Sequence, residues 1–125
     1  MRSFKELKVW EKGHNLTLDI YRSTRDFPDS ERFGLVSQMR RAATSIPTNI
    51  AEGCGRKSDR ELARFMTIAA GSASELEYQC LLARDLGYLE PDIWEMLNEL
   101  IIETRKMLYA FIRRIENPQP NYAEC

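Results

Sequence analysis

Few residues of this chain have types and spacings that suggest chemistry, and the first set is Glu11-Lys12-Gly13-His14. A Glu-x-x-His pair on a helix supplies two ligands of a di-iron site, which needs two such pairs and two further glutamates inside one bundle. His14 is the only histidine of the 125 residues. The sequence therefore predicts a surface histidine, no metal site, and neither a Ser-His-Asp triad nor a Cys-His nucleophile.

The thiols form a second set. Cys54 lies between two glycines and precedes Arg56 and Lys57, which could lower its pKa. We interpret it as an exposed thiol without a catalytic role, because no base accompanies it. Cys80 is predicted to be buried, and Cys125 to lie in a loose tail. The spacings match no CxxC or zinc pattern, and the first residues alternate charged and apolar, unlike a secretory signal. Reduced thiols and a cytoplasmic location are therefore expected.

A basic cluster is the third set. The sequence GCGRKS leads into a helix N-terminus, where free amides favour anions, but it does not match the G-x-x-x-x-G-K-[ST] phosphate loop. Four cations could hold an anion or RNA phosphates there: Arg56, Lys57, Arg60 and Arg64. Asp59 and Glu61 partly neutralise them, and the net charge of −1 lacks the basic excess of dedicated nucleic-acid binders. Solvated charges, or pairing with a neighbouring subunit, are the alternative.

The elements that position these residues are four amphipathic helices. Apolar residues recur every three or four positions in four segments. The first runs from Leu7 to Tyr21, and the second from a cap at Asp29 or Ser30 to Gly53 and Gly55. The third covers 58–86 and opens with a capping box, and the fourth begins at Pro91. No strand-like alternation accompanies them. The sequence predicts an all-α, antiparallel, up-down-up-down four-helix bundle over 1–116 and a flexible tail over 117–125. Five aromatic residues are expected in its core: Trp10, Tyr21, Phe65, Trp94 and Phe111.

The second helix contains a proline. Pro47 lacks an amide hydrogen and crowds the carbonyl of residue 43, at a cost of about 3 kcal/mol in a helix interior. The hydroxyls of Thr44 and Ser45 are expected to satisfy the freed carbonyl. Along the same helix a polar stripe is predicted: Arg41, Ser45, Asn49 and Glu52.

A matching polar stripe is predicted on the third helix, with Gly71, Ser74 or Glu75, and Tyr78 or Gln79 as neighbours. The glycine is expected to permit a close approach. Two arginines and three glutamates suggest an ordered polar contact, either between helices two and three or between subunits: Arg40 and Arg41 against Glu52, Glu75 and Glu77. The alternative is a solvated face with ordinary surface charges.

Two stretches carry a family resemblance: QMRRAATSIPTNIAEGCGR (38–56) and ARFMTIAAGSASELEYQCLLARDLGYL (63–89). Over residues 4 to about 115 the chain resembles the 23S rRNA intervening-sequence proteins, also called the four-helix bundle protein family. The resemblance implies a left-handed antiparallel bundle that assembles as a homopentamer. It implies no established activity, since most members have no assigned role.

The function expected from this resemblance is a non-enzymatic oligomeric scaffold or interaction module, with no cofactor, small-molecule substrate or membrane partner. The alternative is an RNA- or DNA-binding accessory protein. It would be similar to the accessory variability determinant of diversity-generating retroelements, a strongly basic pentamer, whereas this chain is slightly acidic. The matched motif positions look like assembly and fold-specifying residues: Arg40, Arg41, Ser45, Pro47, Asn49, Glu52, Gly53, Gly55, Arg56, Gly71, Ser72, Glu75 and Glu77.

Overall fold

A computed structural model describes residues 3–118, and four α-helices make up most of this segment. They are α1 (Lys8–Ser23), α2 (Leu35–Cys54), α3 (Asp59–Asp85) and α4 (Pro91–Glu116), with 3₁₀ turns at Phe4–Glu6 and Asp29–Glu31. No strand occurs over 3–118, so the predicted all-α fold with four helices is confirmed. The predicted tail lies mostly outside the described residues, as does Cys125. None of the helices described has a stretch long and apolar enough to cross a bilayer.

The helices pack in cyclic order, with α1 against α2, α2 against α3, α3 against α4 and α4 against α1. Each contributes fully buried side chains to one core: Leu16, Ile20, Met39, Ile46, Ile50, Met66, Leu76, Leu97, Ile101 and Leu108. Burying one such side chain contributes about 1.5–3 kcal/mol. Isolated helices are marginal in water, so this shared core stabilises them.

The ends of α3 follow local sequence signals. The Ser58 hydroxyl accepts a hydrogen bond from the Glu61 amide at 3.1 Å, as the capping box predicts. The Glu61 carboxylate does not return to Ser58 but pairs with Arg64 at 3.2 Å, so only half of the box forms. Beyond the other end, Gly87 adopts a φ of +82°, a left-handed conformation that strains other residues.

The start of α2 differs from the prediction. Asp29 and Ser30 lie in a 3₁₀ turn and do not cap the helix, which begins at Leu35. The Leu35 amide donates to Glu31 Oε1 at 3.2 Å, and the hydroxyl of Tyr88 donates to Glu31 Oε2 at 3.0 Å. One carboxylate therefore caps α2 and joins it to the α3–α4 connection.

The end of α2 corrects half of the prediction, because the helix continues through Gly53 to Cys54 and Gly55 is its C-cap. A Cβ atom at Gly53 would lie 3.0 Å from both Leu62 Cδ1 and Phe65 Cβ. This glycine therefore lies at a close approach of α2 to α3, where a Cβ atom would be tightly packed. Cys54 is buried beside it, which contradicts the predicted exposed thiol.

Candidate functional site

The carbonyl that Pro47 leaves without a helical donor is satisfied from α1. α2 continues through the proline, which is itself buried. The Thr17 hydroxyl donates to the Ala43 carbonyl at 3.0 Å and lies 2.8 Å from the Gly13 carbonyl, so one hydrogen serves two acceptors. A threonine 30 positions earlier in the chain thus compensates for the proline.

The hydroxyls predicted for that role bind elsewhere. Thr44 donates to the carbonyl of Arg40 at 2.7 Å, and Ser45 forms a 2.7 Å hydrogen bond with the hydroxyl of Ser72 on α3. The prediction that Thr44 or Ser45 satisfies the Ala43 carbonyl is therefore wrong. It considered only residues of the same helix.

Gly13 allows α1 to approach α2 at the proline. A Cβ atom on Gly13 would lie 2.9 Å from Ile46 Cγ2 and 3.6 Å from Pro47 Cδ. The first distance is shorter than the non-bonded contacts that Cβ atoms make in proteins, and Ile46 is fully buried. Gly13, Thr17 and Pro47 therefore form one contact, which brings the Thr17 hydroxyl within reach of α2.

The middle of the α2 polar stripe lies against α3. Asn49 Nδ2 donates to the Ser45 carbonyl at 2.8 Å and lies 2.9 Å from the Ser45 hydroxyl, which in turn bonds Ser72. The three side chains are partly buried. This part of the stripe joins two helices of one chain.

The charged residues of the predicted contact do not pair with one another within residues 3–118. The glutamates bind partners on α3, on α4 and in the α2–α3 connection: Glu75 with Gln79 at 3.2 Å, Glu77 with Arg105 at 2.6 Å, and Glu52 with Arg56 at 2.9 Å. Arg41 is exposed and has no ion pair among these residues. The predicted arginine–glutamate pairing is thus not formed between α2 and α3.

Arg40 is committed to α1. Its Nε donates to the Thr24 hydroxyl at 3.0 Å, and its Nη2 donates to the Tyr21 carbonyl at 3.3 Å. The guanidinium also lies 4.5 Å from the centroid of the Tyr21 ring. A cation at carbonyls of the last turn of α1 complements the helix dipole. Tyr21 remains 43% exposed, so its predicted place in the core is wrong.

Two of the four cations of the basic cluster cover an aromatic ring. The guanidinium carbons of Arg56 and Arg64 lie 4.9 Å and 4.5 Å from the Phe65 centroid, and this ring is buried outside the main core. Arg56 pairs with Glu52, and the hydrogen bond from Arg64 lowers the pKa of Glu61 and raises that of Arg64. Lys57 and Arg60 are exposed and have no ion pair in the described part of the chain.

Phe33 is the residue that the sequence interpretation missed. It lies in the loop before α2 and is 89% exposed. It lines a surface groove of about 700 Å³ with Tyr21, Arg32, Arg40 and Arg41. A signal was present, because Phe33 is an aromatic residue between Arg32 and Gly34, outside the apolar periodicity of any helix.

The residues first considered for chemistry lie apart. His14 is exposed and stacks on Trp10, with centroids 5.0 Å apart and planes at 5°. Cys80 is fully buried as predicted, and desolvation raises its pKa to about 12, which keeps the thiol protonated at neutral pH. No group of three metal-binding side chains is found within 3–118. Gly71 has no atom within 4 Å of a built Cβ, so the close approach predicted there does not occur within this chain.

The fold and these contacts define a small all-α protein of four packed helices, in which a proline-containing helix carries a polar stripe. The chain belongs to the family of 23S rRNA-intervening sequence proteins, whose model matches residues 5–110. It is also similar to the crystal structure of a protein of unknown function from the S23 ribosomal protein family of Bacteroides thetaiotaomicron. That similarity has a TM-score of 0.78 at 25% identity, over 84% of this chain and 95% of the other. No curated protein matches the chain.

Proposed function

We propose that the protein is a non-enzymatic homo-oligomeric module of the cytoplasm, a left-handed antiparallel bundle assembled as a ring of five copies. One observation carries the self-association: Phe33 is 89% exposed and lines the same groove as Arg41, which has no ion pair in the described residues. Burying an aromatic side chain of this size contributes about 1.5–3 kcal/mol. The number of copies and the handedness come from the resemblance to the family.

The antiparallel arrangement is supported by the order of the contacts. Thr17 bonds the Ala43 carbonyl, whereas Thr24, later in the chain, bonds Arg40, which precedes Ala43. The same reversal relates α3 to α4, where residue 77 contacts 105 and residue 84 contacts 94. Connections of four to eleven residues between successive helices agree with antiparallel neighbours.

A non-enzymatic role is supported by what the reactive groups do. The Cys80 thiol is kept protonated by burial, and the ring of the single histidine stacks on Trp10. The conspicuous polar residues of α2 bind other protein groups, as Ser45 and Asn49 do. These contacts serve the packing of helices.

Sedimentation velocity tests the self-association. The purified chain at micromolar concentration is expected to sediment as a species of about five times the 14.6 kDa chain mass. Replacing Phe33 with serine is expected to shift the species to lower mass without changing the helical circular dichroism, because the side chain contacts mainly solvent within one copy. A wild-type protein that stays monomeric would refute the proposed function.

A second candidate function is binding of RNA or DNA phosphates, favoured by Lys57 and Arg60 around the start of α3, which are exposed and form no ion pair within residues 3–118. The amides of a helix N-terminus add a favourable field for anions. Glu52 and Glu61 pair with Arg56 and Arg64, which leaves Lys57 and Arg60 on either side of Asp59 as the two cations without an ion pair within residues 3–118. Repetition around a ring would raise the apparent affinity through avidity.

Replacing Lys57 and Arg60 together with alanine is expected to weaken binding of a single-stranded oligonucleotide. The slope of log K against log salt should fall by roughly 1.4, since each phosphate contact on a single strand contributes about 0.7. Fluorescence anisotropy over a potassium chloride series measures both quantities. A Lys106→Ala variant, which removes an exposed cation from α4, serves as the control. Undetectable binding by the intact wild-type oligomer at low salt rejects this candidate.

A further inference from the structure

We propose that the Phe33 groove of one copy receives the acidic outer face of α4 from a second copy, in a head-to-tail contact. The inference rests on the proposed self-association and specifies the two surfaces that form it. The groove is lined by Tyr21, Arg32, Phe33, Arg40 and Arg41, together with apolar and hydroxyl side chains of α2. The second surface comprises Asp92, Glu95, Met96 and Glu99, which we call the α4 acidic face.

The groove is basic and contains an exposed aromatic side chain. Three arginines and no acidic residue line it. The Arg32 guanidinium lies 5.4 Å from the Phe33 centroid, and Arg40 lies over Tyr21, so both aromatic rings carry a cation at one side. Arg41 has no ion pair among residues 3–118. Such a surface fits an acidic partner that also offers an apolar side chain.

The α4 acidic face offers that chemistry. Asp92, Glu95 and Glu99 recur at three- and four-residue steps on α4, so they project from one side of the helix. All three are exposed, and in the described part of the chain none forms an ion pair. Met96 lies among them and is 40% exposed, which gives the face an apolar centre. A methionine can adapt to a groove wall formed by an aromatic ring.

Within residues 3–118 no ion pair joins the two surfaces of one copy. Most of the groove lies on α2 and the loop before it, and α2 does not contact α4, which carries the acidic face. Complementary but different surfaces produce a head-to-tail contact, which generates a ring when the rotation between copies closes, and not a two-fold dimer. Charge complementarity would also fix the register of the contact.

Two charge-altered variants test this contact. The groove variant carries Phe33→Ser and Arg41→Glu, and the face variant carries Glu95→Lys and Glu99→Lys. All four side chains are exposed, so the groove variant and the face variant should have melting temperatures within a few degrees of each other. Each variant alone is expected to sediment as a monomer. An equimolar mixture is expected to form a heterodimer of twice the chain mass, because one intact groove meets one intact face.

The control is Glu11→Lys, which reverses an exposed charge on α1 and should leave the oligomer intact. If both variants still assemble like the wild type, this contact is refuted while the self-association stands. If both are monomeric and the mixture forms no heterodimer, the direct pairing of groove and face is refuted. If the groove variant keeps its oligomer but loses affinity for a single-stranded oligonucleotide, the groove binds nucleic acid and the proposal is overturned. A monomeric wild type refutes the proposed function itself.

Discussion

Replacing Thr17 with valine is expected to lower the free energy of unfolding by about 1–2 kcal/mol, although the two side chains have nearly the same shape. Valine cannot donate to the Ala43 carbonyl, and Pro47 has no amide hydrogen to replace the lost bond. The carbonyl then remains desolvated without a partner. Urea unfolding at one fixed protein concentration measures the change, since assembly makes stability depend on concentration.

A double-mutant cycle with Pro47→Ala isolates the mechanism. Alanine at 47 restores an amide that can donate to the Ala43 carbonyl, so Thr17→Val should cost about 1 kcal/mol less in that background. Thr67→Val is the control, because its hydroxyl donates to the Ala63 carbonyl within α3 at an exposed residue outside the groove, and its loss should change stability by less than about 0.5 kcal/mol. Equal costs of Thr17→Val with and without Pro47 would contradict the assigned hydrogen bond.

Replacing Gly13 with alanine is expected to leave the protein less stable than the Gly71→Ala variant by about 1–3 kcal/mol. Both glycines lie inside helices, so both variants gain the same helix propensity of about 1 kcal/mol. Only at Gly13 does the new Cβ meet a fully buried side chain, at 2.9 Å from Ile46 Cγ2, while Gly71 has open space. The difference between the two variants therefore reports the overpacking alone.

The Gly71→Ala variant is expected to have a higher melting temperature than the wild type, because alanine replaces glycine at an exposed position inside a helix. Differential scanning calorimetry of the two variants, with sedimentation to record their oligomeric state, provides the measurement. If Gly13→Ala were as stable as Gly71→Ala, α1 would not approach α2 as closely as the structure places it.

The helices were predictable because their signals are local. The 3.6-residue apolar period, the serine at 58, the glycine at 87 and the proline at 91 act within one or two turns. α3 begins one residue after Ser58 and ends two residues before Gly87, and α4 begins at Pro91. The errors fell where a residue acts on a distant one. Gly53 and Gly55 were expected to end α2 together, but Gly53 is helical and packs closely against Leu62 and Phe65, and Gly55 alone follows the last helical residue.

The partners of the polar residues could not be predicted, because the pattern of polar residues along one helix does not indicate which other helix packs against it. Arg40 turns to the end of α1, Glu77 turns to α4, and Thr17 reaches the carbonyl that Pro47 exposes. Each of these bonds spans at least 16 positions and exists only after two helices have docked. Similarly, the apolar periodicity indicates only that Phe33 does not belong to a helix. Its exposure depends on the position of the loop between α1 and α2 in the folded chain.

The amino-acid sequence alone determined the four helices, their apolar faces and the family, since these depend on the order of residue types along the chain. The tertiary structure decided which carbonyl each hydroxyl binds, which charges are neutralised, and which groove stays open. The physical reason is that hydrogen bonds and ion pairs act over a few ångströms in space, and only the packing of the helices brings those atoms together.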